Sequence, residues 1–265
     1  MLGAVALGGV LATAIALPLC WKWQLGMGRC LVALCGLAAV AAVLVLAARP
    51  FDEPVPSALA TAAVTLALAL AVVLWRFFRD PERHFDGGSE AILSPADGVV
   101  VYVRRFERGR LPVATKLGRE YTLDELVRTP LRSDDAVAIG IGLSFLDVHV
   151  NRAPIAGAVT AQRRHPGRFG SLREPAAVFG NERASIVVEG AGVQIAVVMI
   201  ASRLVRRIVS YVREGDAVAL GQRIGVIRFG SQVDLVLPDR GGIRVTVSPG
   251  ERVRAGETVV AEVAS

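Results

Sequence analysis

Three long apolar runs open the chain, over residues 4–20, 30–48 and 57–75, with lengths of 17, 19 and 19 residues. Each is close to the ~20 residues that a helix needs to cross the hydrocarbon of a bilayer. The pattern predicts a membrane anchor, residues 1–78, of two or three transmembrane helices. The first run lacks a basic leading segment and a small-residue cleavage motif, so it reads as an anchor helix, spanning or interfacial, and not as a signal peptide. Beyond residue 78 the period changes to short β-branched runs punctuated by Gly and Pro. Ile92–Val103 and Ala136–Val150 are the early predicted strands, and alternation at Val226, Ile227, Val233, Leu235 and Leu237 marks the late ones. Residues 104–135 are polar and irregular, a solvated loop or a lid, with one short helix predicted at Leu123–Val127 beginning from Thr122.

Composition sharpens this division. The chain of 265 residues is 53% hydrophobic and only 20% charged, with a mean hydropathy of +0.49, too apolar for an ordinary soluble domain. Up to Trp75 the only charged side chains are Lys22, Arg29, Arg49, Asp52 and Glu53, so 27 of the 30 basic and 22 of the 24 acidic groups lie beyond it. Those basic groups are nearly all arginine and are scattered, which disfavours nucleic acid and suits an anionic membrane surface. Positive charge sits on the first connector (Lys22, Arg29) and after the third run (Arg76, Arg79, Arg83). That distribution predicts an outside N-terminus and a globular part on the cytoplasmic side of the inner membrane, with Trp21, Trp23 and Trp75 as interfacial anchors. Cys20, Cys30 and Cys35 all fall in the apolar region, where they build neither a disulfide framework nor a zinc site; no metal is expected.

Two late segments repeat at an offset of 35: Gly215-x-x-Val218-x-x-Gly221-x-x-Ile224 and Gly250-x-x-Val253-x-x-Gly256-x-x-Val259. Each looks like the turn and strand of lipoyl or biotinyl carrier folds. The expected architecture is therefore N-terminal transmembrane α-helices followed by a mainly β (α+β) domain, residues 79–265, with lipoyl/biotinyl-like β-sandwich elements. The repeat also supports a noncatalytic, membrane-anchored carrier-like adaptor, although the only lysines, Lys22 and Lys116, do not stand at a hairpin tip.

The candidate chemistry lies in Gly221–Pro238, where two strand-like runs meet at Phe229-Gly230-Ser231. A serine held at a sharp bend can attack the carbonyl of the preceding Gly230 and turn the amide into an ester that breaks; Gly-Ser in a turn is otherwise ordinary punctuation. The hydroxyl needs a base. Of His84, His149 and His165, only His149 sits on an apolar strand, with Asp147 two residues away and so expected on the same face. Asp97, in the tight Pro95-Ala96-Asp97-Gly98 turn, is a candidate to orient the imidazole or else an Asx-turn residue.

Six stretches, in order over about residues 78–238, resemble the phosphatidylserine decarboxylase family, especially its shorter bacterial and archaeal branch. They are Phe78-Arg79-Asp80-Pro81-Glu82-Arg83, Ser94-Pro95-Ala96-Asp97-Gly98, Asp147-Val148-His149-Val150-Asn151-Arg152-Ala153-Pro154, Gly180-Asn181-Glu182-Arg183, Arg206-Arg207-Ile208 and Arg228-Phe229-Gly230-Ser231. The resemblance implies autocatalytic cleavage between Gly230 and Ser231, with Ser231 becoming a covalent pyruvoyl group and no external organic cofactor. It implies decarboxylation of phosphatidylserine to phosphatidylethanolamine, catalytic roles for Ser231, His149, Asp97 and Asp147, and long and short chains that stay associated, with a homo-oligomer as a further association. A ketone next to an amide carbonyl accepts the substrate amine and withdraws electrons as carbon dioxide leaves. Arg152 stands where longer members carry a second histidine, and Gln232 where many carry threonine. Another serine phospholipid, such as an archaetidylserine, would present the same headgroup.

The three letters Phe-Gly-Ser also occur at Phe169-Gly170-Ser171, in an arginine-rich stretch without flanking strand patterns. Cleavage before Ser231 releases residues 231–265, a 35-residue chain, whereas cleavage before Ser171 releases 95 residues. A denaturing gel should show the shorter fragment, lost in Ser231→Ala and kept in Ser171→Ala.

Overall fold

The structure is a computed structural model that describes residues 1–23, 25–48, 52–110, 122–133, 135–172, 175–202, 208–227, 232–239 and 242–263. It divides into a helical unit, Met1–Arg79 with Ser144–Leu146, and a β unit made of Asp80–Leu143 and Asp147–Ser265.

The three apolar runs form helices α1 (Leu2–Lys22), α2 (Met27–Ala48) and α3 (Pro54–Phe78), each long and apolar enough to cross a membrane. Small residues let them pack closely. A Cβ on Gly8 would lie 2.2 Å from the Ala58 carbonyl oxygen, and one on Gly9 would lie 2.9 Å from the Ala38 side chain. The first run is therefore a full helix packed on both of the others. Ser57, Thr61 and Thr65 are buried, and each hydroxyl donates to the carbonyl four residues earlier at 2.8–2.9 Å, so no polar group is stranded. In the same unit, the Phe145 ring stacks on Trp23 at 4.8 Å.

Every pairing between the described strands of the β unit is antiparallel. Its main sheet runs β13-β2-β3-β11-β7-β6-β5-β9, built from β2 (Gly98–Phe106), β3 (Ala136–Gly142), β5 (Gly157–His165), β6 (Arg183–Gly190), β7 (Val193–Ile200), β9 (Ala217–Val218), β11 (Gln232–Pro238) and β13 (Arg252–Val253). Two three-stranded sheets accompany it. One is β1 (Ala91–Leu93), β14 (Val259–Val263) and β12 (Ile243–Val245); the other is β4 (Val150–Arg152), β10 (Arg223–Ile227) and β8 (Ile208–Ser210). The predicted early strands are each interrupted, at Ser94–Asp97 and over residues 143–149, because the chain changes sheets there. Ile139, Ile141, Val197, Met199, Val233 and Leu235 fill one face of the main sheet. Phe106, Ala138, Val187, Ala196, Val198 and Val236 fill the other, with Leu123, Leu126 and Val127 of α4 (Leu123–Val127) and Val178 and Phe179 of α5 (Pro175–Gly180). Helix α4 falls where predicted, and Thr122 and Glu125 close a reciprocal capping box.

The repeat at offset 35 is a structural one. Gly215 and Gly250 have φ of 94° and 96°, Gly221 and Gly256 of 73° and 70°. A second repeat, at offset 59, links Pro95-x-x-Gly98-x-Val100 with Pro154-x-x-Gly157-x-Val159 and Arg104-Arg105 with Arg163-Arg164. Hydrogen bonds obey both offsets: the Gly215 and Gly250 N–H groups donate to the Val159 and Val100 carbonyls at 2.8 Å, and those of Gly221 and Gly256 donate to Ala153 and Ser94 at 2.9 Å. Even the register shift recurs, between Val100 and Tyr102 and between Val159 and Ala161. The β unit thus has an internal two-fold, with β11 and β7 as its central pair.

Candidate active site

The strands flanking Phe229-Gly230-Ser231 are both present, and they belong to different sheets. Strand β10 ends at Ile227 in a three-stranded sheet, and β11 begins at Gln232 in the middle of the eight-stranded one. The predicted cleavage pair, Gly230 and Ser231, lies outside the described residues with Arg228 and Phe229, as do Arg206 and Arg207. The frame around the pair is described. Upstream, the Ile227 N–H donates to the His149 carbonyl at 3.1 Å, and Val226 pairs with Val150. Downstream, Gln232 pairs with Gly142 on β3 and Ile200 on β7. Gly142 and His149 thus pair with the two described residues that flank the segment, Gln232 and Ile227.

His149 is 2% exposed and directly precedes β4. His84 is exposed, and His165 closes β5, where burial and the charges of Arg128, Arg183 and Arg163 lower its pKa. Asp147 occupies a bend and not a strand, so two-residue alternation does not relate it to His149. It is buried, and one of its oxygens accepts from Arg252 Nη1 at 3.0 Å.

Asp97 has a different partner from the one expected of a triad carboxylate. Its oxygens accept from Arg83 Nη1 at 2.5 Å and Nη2 at 2.9 Å, and Oδ1 also accepts the Ala255 N–H at 2.9 Å. Sequence reasoning missed Arg83. This arginine also donates to the Ala255 carbonyl, so the Asp80–Arg83 stretch is fastened to one copy of the repeated turn. The same stretch is fastened to the other copy. Asp80 accepts from Arg152 at 3.2 Å and Arg223 at 2.5 Å, Glu82 accepts from Arg223 at 2.7 Å, and Arg152 donates to the Pro81 and Gly221 carbonyls. The hydrogen bonds that Arg223 donates to Glu82 and Asp80 raise its pKa, while burial and then Arg223 lower that of Arg152. Arg152, in the place of a second histidine, is a buried strut.

The profile of the family described as phosphatidylserine decarboxylase matches residues 70–261, a range that takes in every one of these groups. The chain belongs to the phosphatidylserine decarboxylase family. It is 39% identical over 200 residues to the phosphatidylserine decarboxylase proenzyme of Geotalea uraniireducens, covering 75% of this chain and 82% of the relative. Identity to the proenzyme of that name from Erythrobacter litoralis is 43% over 196 residues, covering 73% and 74%. A Methanocaldococcus jannaschii protein, provisionally named an archaetidylserine decarboxylase proenzyme, is 38% identical over 189 residues, covering 70% and 87%.

Within this family frame the Gly180-Asn181-Glu182-Arg183 motif has a structural role. Arg183 is fully buried and donates to the carbonyls of Glu125, Leu126 and Val178, satisfying the ends of α4 and α5. Burial, with Arg128 adding to it, lowers its pKa to about 10. The Asn181 side chain accepts from the Gly170 N–H at 2.8 Å and donates to the Gly170 carbonyl at 3.0 Å, so the second Phe-Gly-Ser copy is pinned at its glycine on both sides.

One further group escaped the sequence. Tyr102 Oη donates to Asp234 Oδ2 at 2.6 Å, and Gln232 Nε2 donates to Asp234 Oδ1 at 2.7 Å and to Tyr102 Oη at 3.0 Å. Burial raises the Asp234 pKa to about 6, against the hydrogen bonds from Tyr102 and Gln232 and the charge of Arg183.

Arg83 and Asp97 side chains are 5% and 10% exposed, so their pairing is shielded from solvent. Arg83→Ala should destabilise the protein by about 3 kcal/mol, because it leaves a carboxylate buried without its cation. A double-mutant cycle with Asp97→Ala, read by thermal unfolding in detergent, should give a coupling of about 1–3 kcal/mol; additive losses would refute the pairing.

Proposed function

We propose that this chain is a proenzyme that cuts itself between Gly230 and Ser231 and, through the pyruvoyl group derived from Ser231, converts phosphatidylserine to phosphatidylethanolamine and carbon dioxide. One observation carries the reading: buried His149 is bonded through its carbonyl to Ile227, four residues before Ser231. Family membership and the names of the proenzyme relatives support the substrate and the cleavage.

In the first stage Ser231 Oγ attacks the Gly230 carbonyl carbon while His149 takes the hydroxyl proton. The C–N bond breaks as that proton passes to the residue 231 nitrogen, an ester forms, and β-elimination, with loss of the α-proton of residue 231, releases the Gly230 carboxylate as the end of the long chain. The dehydroalanine left at residue 231 takes up one water and loses ammonia. The ketone so formed supplies an electron sink for loss of carbon dioxide. His149 then gives a proton to the carbon from which carbon dioxide has left. Asp147, held by Arg252, fixes the bend leading to His149, and Asp97 acts through Arg83 as a positioning residue. The short chain would contain β11 to β14, and β11 lies between β3 and β7, so the two chains stay associated through the sheet itself.

The same chemistry serves an archaetidylserine headgroup, a second reading favoured only by the Methanocaldococcus relative. Parallel assays with both lipids distinguish the two. A carrier-like adaptor would leave the chain whole.

His149→Ala should slow appearance of the 35-residue chain by about 100-fold or more. In wild type that chain should carry a blocked, carbonyl-reactive N-terminus by intact mass and hydroxylamine labelling. A wild-type protein that decarboxylates lipid while uncut would defeat the mechanism, and one that is uncut and inactive would favour the adaptor.

The connector charges support a cytoplasmic globular part, residues 79–265, on an inner-membrane anchor. Protease added to intact spheroplasts should spare it and digest it only after lysis; digestion in sealed spheroplasts would reverse the topology.

A further inference from the structure

The ring of hydrogen bonds among Tyr102, Asp234 and Gln232 has no part in the chemistry described so far. We propose that it is a positioning device that fixes the residue bearing the reactive end of the short chain, in both cleavage and decarboxylation. The inference rests on the proposed cut before Ser231, since the backbone nitrogen of Gln232 would carry the group that residue 231 becomes.

Gln232 is held twice. Its backbone lies in the ladder between Gly142 and Ile200, and its side-chain amide donates to both other members of the ring. Gln232 is 4% exposed and Asp234 fully buried. Tyr102 reaches Asp234 across an intervening strand because the residue between them is Gly140, where a Cβ would lie 2.6–2.8 Å from the tyrosine ring. The Arg104 guanidinium lies 4.1 Å from the centre of that ring, on its outer side along β2.

The internal two-fold supplies the comparison. Tyr102, Gly140 and Asp234 correspond by register to Ala161, Val187 and Ala196 on the other arm of the sheet. That row is wholly apolar and packs into the core. The architecture therefore closes without a buried carboxylate at this position, and burying one is costly unless it is fully bonded. The polar row occurs only on the arm whose central strand begins beside Ser231. Burial raises the Asp234 pKa to about 6, and its two oxygens are the acceptors for the Tyr102 and Gln232 donors.

The test uses the full chain in detergent, with Tyr102→Phe and Asp234→Asn, a second-donor variant Gln232→Met, and Val187→Ala as a packing control on the equivalent row. The rate at which the 35-residue chain appears should fall at least 10-fold in Tyr102→Phe and Asp234→Asn, and should stay within 2-fold of wild type in Val187→Ala at a comparable loss of Tm. In protein that has matured, phosphatidylserine in mixed micelles should show a lower kcat with KM unchanged for Tyr102→Phe and Gln232→Met. Ring variants that process and turn over like wild type, in a wild type that is itself cut, would overturn this inference and leave self-cleavage standing. Equal slowing in Val187→Ala would also overturn it, by assigning the effect to stability. A wild type that is never cut removes the proposed function, and this inference falls with it.

Discussion

Two copies of one turn meet at Gly221 and Gly256, close enough that a Cβ on either would touch the backbone of the other. A Cβ on Gly256 would lie 2.8 Å from Arg152 Cδ and 3.6 Å from the Gly221 Cα. Both glycines also have φ near +70°, where any other residue is strained. Packing the two turns together brings Arg152 and Arg223, beside the Gly221 turn, against the chain that enters the β unit. The Asp80–Arg83 stretch answers with alternating charge. Asp80 and Glu82 face those two arginines, and Arg83 turns the other way to Asp97 and to Ala255 of the Gly256 turn. Exposed ion pairs contribute little singly. Here Arg83, Arg152 and Asp97 are nearly buried, and removing any one member strands the charge of another.

The two-fold also shows where function departs from architecture. Strands, glycines and register shifts repeat between the arms, so a residue lacking an equivalent is not demanded by the fold. Asp97 corresponds to Ala156, His149 to Glu90, and Asp234 to Ala196 under the offsets that relate the arms. The groups singled out as chemical candidates are thus on positions where the duplicated copy does without them.

Much of this was legible from the chain, for identifiable reasons. The helices announce themselves by length and hydropathy, α4 by its capping box, and the paired turns by their 35-residue offset. The offset-59 repeat was missed because only Pro, Gly, Val and a pair of arginines survive in it, and these do not form a run. Asp97 looked like a partner for His149 because sequence shows its turn but not Arg83, which approaches from 14 residues upstream. Asp147 looked coplanar with His149 because alternation was extended through a bend. Tyr102 and Asp234 left no signal, and Gln232 showed only as a departure from threonine, since one polar residue in a β-strand reads as its solvent face; burial of both faces of β11, visible only in the fold, changes that meaning.

A cut at Gly230-Ser231 also fixes an order of events. The long chain would end beside β10 and the short chain begin with β11, so every described ladder bond survives the break. The unfolded state does not survive it unchanged. Before the cut, β11 must find β3 and β7 as part of one chain; afterwards it would have to find them as a separate 35-residue piece, at the added cost of bimolecular association. Central strands with distant partners are already the slow part of assembling an antiparallel sheet. Under the proposed cleavage, a sheet completed before the bond breaks avoids that cost. The proposed chemistry would satisfy that order by itself, because His149 beside β4, Ile227 of β10 and Gln232 of β11 are brought together only by the finished fold.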